Sequence, residues 1–240
     1  MKFTDTVSRG FDRVDSVRID AGLRAHMNKV YGMMSAAMLI TGVVAFFVGN
    51  SPALLSAIFT TPLQWVVMLA PLGVVFFLSA RVHKLTLATA QSVFWGFAGL
   101  MGLSISYIFA VYTGMAIAQT FLVTAIAFAG LSLYGYTTKK DLSGLGSFLI
   151  MGVIGILAAA IINLFIASAA LAFAISVIGV LVFAGLTAYD TQNIKNTYLQ
   201  MAHAGNSEWL GKSAVMGALS LYINFLNIFL FLLALFGQRE

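Results

Sequence analysis

The sequence contains no cysteine, and only 9% of its 240 residues are charged. The first absence excludes disulfides and thiolate metal sites and leaves the redox compartment open. The second is far below the roughly 25% charge of soluble domains. No Gly-rich phosphate loop and no His-Glu-x-x-His pair occurs. That excludes a zinc protease, and an ATP-driven pump would need a partner to supply the nucleotide site. His26, His83 and His203 are scattered and read as solvated loop residues rather than ligands. Lys212 precedes the last apolar run instead of lying midway along it, as a retinal protein requires. The first 29 residues are too polar for a signal peptide.

What is present is apolar: 60% of residues are hydrophobic, against roughly 45–50% in soluble domains. The excess must face lipid. A span needs about 20 apolar residues, and the sequence divides into seven such runs: 30–49, 63–80, two from 85–136 cut near Tyr112–Gly114, 147–166, 169–189 and 213–236. The expected fold is all-α, a polytopic seven-helix transmembrane bundle over 30–240, preceded by a cytoplasmic tail over 1–29. In the tail, Phe3, Val7, Phe11, Val14 and Val17 recur at helical spacing. They suit an interfacial helix lying on the membrane, with a loosely ordered tail as the alternative. The many glycines, among them Gly96, Gly99, Gly102, Gly152 and Gly155, read as close helix packing.

The chain has 13 Lys and Arg, and on this map all but Arg239 fall on one side. The N-terminus is therefore expected in the cytoplasm and the C-terminus outside. The net charge of +5 then reflects topology and contact with membrane lipid, with no nucleic-acid partner.

Asp190 directly follows the sixth apolar run. A charge at a helix centre costs roughly 2.5–3.5 kcal/mol, and such residues usually face the bundle interior. The bland alternative places Asp190 at the cytoplasmic mouth, against water or Lys195. Ser176, Gly179, Phe183, Thr187 and Asp190 share one helical face; Gly217, Ser220, Asn224 and Asn227 share another on the seventh run. Two such stripes on consecutive antiparallel helices should meet, which predicts Asp190 within hydrogen-bond reach of Asn224 or one water away. Ordinary interhelical hydrogen bonding is the competing account of the stripes. Tyr189-Asp190 would also suit an intramembrane aspartyl protease, but that chemistry needs a second membrane aspartate, and this chain has none. No enzymatic activity and no cofactor is expected.

Three segments are specific together. Gly185-Leu-Thr-Ala-Tyr-Asp-Thr-Gln192 with Asn193-Ile-Lys195, the ending Ala218-Leu-Ser-Leu-Tyr-Ile-Asn-Phe-Leu-Asn-Ile-Phe229, and Tyr136-Thr-Thr-Lys-Lys-Asp-Leu-Ser143 resemble the Bax inhibitor (transmembrane Bax-inhibitor-motif) family, its bacterial members above all. The resemblance implies a bundle with the last helix central, a bacterial inner membrane, and a pH-sensitive calcium leak. It implies a sensor of two aspartates on the last two long helices. Asp190 matches the first. The second falls on Asn224, a departure that leaves one acid where the family has a coupled pair. The family's basic residue after the second helix falls near Arg81, which would pair with Asp190; a plain topology charge is the other reading. Calcium takes six to eight oxygen ligands and gains affinity with their charge. Asp190, Asn224, Asn227, Thr187 and backbone carbonyls offer oxygens but one charge, so only weak binding of a transported ion is expected there; Ser220 completes the polar stripe. Two functions remain open: a cation leak gated by protonation of Asp190, and a non-conducting regulator that binds another membrane protein, such as a protease or a cell-death factor. Phe225, Phe229 and Phe231, read as lipid-facing, would suit such a partner.

Overall fold

A computed structural model describes the backbone of residues 3–202 and 207–238, and side chains over 19–202 and 208–238. Among these residues the chain is helical and has no strand: α1 Phe3–Gly49, α2 Pro52–Phe59, α3 Leu63–Arg81, α4 Leu87–Ile105, α5 Ile108–Val111, α6 Gly114–Thr137, α7 Ser143–Ile166, α8 Ala169–Ala202 and α9 Ser207–Phe236. Seven stretches are long and apolar enough to cross a membrane. They are the seven read from the sequence.

The chain breaks where local chemistry dictates. The uncharged stretch from Leu85 to Tyr136 divides at Tyr112, whose backbone is extended. Thr113 then caps α6, its hydroxyl accepting from the Ala116 amide at 3.2 Å. α7 and α8 are joined through Ala167, whose φ of 52° is left-handed, and the Asn163 side chain accepts from the Ser168 amide at 3.0 Å. At the other end of α7, Asp141 turns the chain by accepting from the Ser143 amide at 2.9 Å. Hydrogen bonds from the Ser143 side chain and backbone hold the Asp141 carboxyl below its ordinary value.

Helix ends are where the sequence reading falls short. α1 is helical from Phe3, and Leu23, His26 and Met27 are already buried in the bundle. The side chains of Phe3, Val7, Phe11, Val14 and Val17 lie outside the described residues. α8 continues to Ala202, well past Tyr189, and α9 begins at Ser207 rather than Ser213. These extensions carry polar residues that no apolar count detects.

Packing is uneven. α9 packs on α8, α1, α6 and α4, whereas α7 packs on α8 and α3 packs on α4 and α2. Half of α9's membrane-spanning window is buried, against 11% of α7's. Close approaches use particular glycines: a Cβ on Gly135 would collide with the Ala188 carbonyl, and one on Gly217 would lie 2.9 Å from Ile194. Gly102 and Gly152 are similarly tight, but Gly96, Gly99 and Gly155 face open space. For those three the close-packing reading is wrong; they lie on faces that α4 and α7 turn away from the bundle.

Candidate functional site

Asp190 lies well inside α8, not at its end, because the helix continues to Ala202. It is partly buried and faces α9. Asn224, buried to 3% exposure, donates from Nδ2 to Asp190 Oδ2 at 2.7 Å. The two helices meet here as the stripes predict, with the amide as donor. An asparagine carries both a donor and an acceptor. By turning its amide it can pair with a carboxylate or with a protonated acid, which a second aspartate could do only by adjusting its own protonation.

A cavity of about 200 Å³ lies beside this contact, toward the end that carries Lys195 and Lys212, here termed the basic end. Asp190, Ser220, Lys212 and His26 line it. Lys212 is 8% exposed, and its Nζ sits 2.9 Å from Glu208 Oε1. Counted as a loop charge in the sequence, Lys212 is instead in the second turn of α9. The stripe of Gly217, Ser220 and Asn224 extends back to Ser213 at the same spacing, and that was the available signal. His26 also departs from its expectation as a solvated loop residue. It is 7% exposed, and its ring lies 5.1 Å from that of Tyr198.

Arg81 ends α3 and is exposed, and among the described residues it forms no ion pair with Asp190. α3 packs on α4 and α2, whereas Asp190 turns toward α9. The cation in the cavity with Asp190 is Lys212. Thr187 is fully buried and donates to the Phe183 carbonyl at 2.8 Å. Asn227 donates to the Ile223 carbonyl of its own helix at 2.9 Å. Neither is bonded to Asp190. Beyond Asn224, away from the basic end, large apolar side chains meet across the α8–α9 interface: Phe183 and Phe231 approach at 6.0 Å between ring centroids, Phe231 packs over Gly179, and Ile228 is buried beside them. The stripe residues there, Thr187, Ser176 and Asn227, bond to carbonyls of their own helices. Phe225 and Phe229 are each 4% exposed and Phe231 is held in this interface, so none of the three faces lipid. Their reading as a lipid-facing partner surface is corrected: outside its polar stripe α9 is apolar, and that part of the pattern does not reveal which sides are covered.

Among the described residues no group of three His, Asp or Glu side chains converges. Asp190 supplies one carboxylate among amides and hydroxyls, too little charge for tight calcium binding.

The family described as "Inhibitor of apoptosis-promoting Bax1" matches residues 23–240. The chain belongs to the Bax inhibitor family. The match begins where side chains of α1 enter the core. Among its relatives, the inner membrane protein YbhL of Escherichia coli is 46% identical over 96% of this chain and 99% of its own length. A Caulobacter vibrioides protein is 45% identical over 95% of this chain and 94% of its own length. A Rickettsia prowazekii protein is 44% identical over 92% of each. This Bax inhibitor family member is thus a multi-pass membrane protein similar along almost its whole length to one of a bacterial inner membrane.

Proposed function

We propose that the protein is a passive, pH-sensitive cation leak of a bacterial inner membrane, with calcium among the ions it passes, gated by protonation of Asp190. The observation that carries this reading is the 2.7 Å contact between Asn224 and Asp190 at the inner limit of a cavity. The protonated acid satisfies Asn224 and holds α8 on α9, with Phe183 and Phe231 sealing the interface beyond. The anion keeps the Asn224 donor on one oxygen, but its remaining lone pairs need water or a cation, and their entry favours separation of the helices. Among the described residues, His26 from α1 and Lys212 from α9 are the other ionisable groups lining the cavity. The basic end faces the cytoplasm in this proposal, and no catalytic group enters it.

Flux should therefore rise as pH rises through one titration, with any calcium bound only weakly in transit. The test is cation flux into liposomes of purified protein across a pH series, for wild type and Asp190→Asn. The variant keeps the shape and hydrogen-bonding capacity of the pair and should stay closed at every pH. Identical curves for the two proteins would remove Asp190 as the gate. Absence of flux at any pH would favour the non-conducting regulator, whose partner would be another membrane protein.

A further inference from the structure

A second cavity, of about 620 Å³, runs between α1 and α6 with Phe225 of α9 at its floor. From α1 it is lined by Arg24, Asn28, Tyr31 and Ser35, and from α6 by Ala129 and Tyr136 among others. The α1 positions recur at i, i+4, i+7 and i+11, so one continuous face of the helix forms the wall. Arg24 to Ser35 spans about 16 Å at ~1.5 Å per residue, close to half of a ~30 Å hydrocarbon core. The groove is thus as deep as one leaflet. Its floor is fixed: the Phe225 ring lies 5.4 Å from Phe128 and 5.3 Å from Phe121.

The mouth is cationic. Arg24 is exposed and, among the described residues, has no ion pair. Behind Tyr136 of the groove wall, Lys195 of α8 is held against that residue, donating to its carbonyl at 2.8 Å and lying 5.3 Å from its ring centroid. Among the described residues no Asp or Glu lines the groove. Below the mouth the polar lining thins to Ser35 and Ser132, beside Met34, Phe128 and Phe225. Positive charge at headgroup depth over a leaflet-deep apolar slot is the complement of one molecule type.

We propose that the α1–α6 groove binds an anionic phospholipid from the leaflet at the basic end. An acyl chain lies on Phe225 and Phe128, and the phosphate sits between Arg24 and Lys195. Asn28 and Tyr31 offer donors at the depth of the ester groups. Lipid retention, unlike flux, reads this site without reference to gating.

The experiment is native mass spectrometry of the purified full chain with equal concentrations of phosphatidylglycerol and phosphatidylethanolamine. Wild type should keep one phosphatidylglycerol in preference. Arg24→Gln should lower that preference about fivefold, as expected for one basic residue at the surface. Ala129→Phe, at an exposed groove position, should reduce retention of both lipids. Ser35→Phe fills the slot from the α1 side and serves if Ala129→Phe fails to fold. Equal retention of the two lipids by wild type would show bulk lipid only and overturn the proposal. So would unchanged preference in Arg24→Gln, or cross-linking that finds a second copy of the chain seated on this groove.

Discussion

α9 carries two buried polar contacts two residues apart, and they behave differently. Asn224 points to α8 and meets Asp190 beside a cavity. Tyr222 points to α1 and α4, where its hydroxyl lies 2.7 Å from Thr41 Oγ1. Thr41 gives its own proton to the Ala98 carbonyl at 2.8 Å, so Tyr222 is the donor in the first bond. Tyr222 and Thr41 are 0% and 2% exposed, and Phe97 packs edge-on against the tyrosine ring. The hydroxyl chain has every proton assigned and no adjoining acid, so it fastens three helices in one arrangement. The amide–carboxylate contact has one partner that changes charge and a cavity through which water can reach it. Both bonds are equally short; under the proposed gating, access of water and an ionisable acceptor would make the second contact a switch where the first is a fastener.

Changes to Asn224 should disturb that contrast most. Asn224→Asp places two carboxylates in contact, so they must share a proton and titrate in two coupled steps. Flux against pH should broaden from one step to two, and calcium affinity should rise with the added charge. A single unshifted step would mean that this contact does not control flux.

The fastener should respond in stability and leave the pH curve alone. Thr41→Val strands the Tyr222 hydroxyl in a buried site, which should cost about 1–3 kcal/mol in unfolding from detergent micelles. Tyr222→Phe removes the donor but leaves Thr41 bonded to Ala98, so its cost should be about 1 kcal/mol. If Tyr222→Phe shifted the pH midpoint of flux, the two contacts would be coupled through rotation of α9 and the contrast would fail.

The number of spans was legible because lipid demands long uncharged runs and the basic residues alternate with them. The meeting of Asp190 and Asn224 was legible because each stands on a polar stripe of an otherwise apolar helix. Lys212 and His26 were not, since both lie on helical extensions where polar and apolar residues mix, as loops do. The burial of Phe225 and Phe229 was also hidden. In a bilayer the outside of a helix is as apolar as its inside, so hydrophobicity no longer separates the two. Arg81 is exposed, as a topology charge would be; its pairing with Asp190 rested on resemblance alone, with no residue pattern behind it.

α7 is tied to α8 at both ends. One tie is the tight turn at Ala167 and Ser168, and the other is Gln192, which accepts from the Leu142 amide at 2.9 Å and donates to the Lys140 carbonyl at 2.8 Å. Between these ties Gly146 lies against Tyr189 and Gly185 against Leu149. The two helices therefore form one leaf, and α8 cannot swing from α9 without sweeping α7 sideways through lipid. Such a movement enlarges the footprint of the protein in the plane of the bilayer. Under the proposed gating, lateral tension would do work on the same leaf that protonation holds shut, and a stretched membrane would release it at lower pH than a slack one.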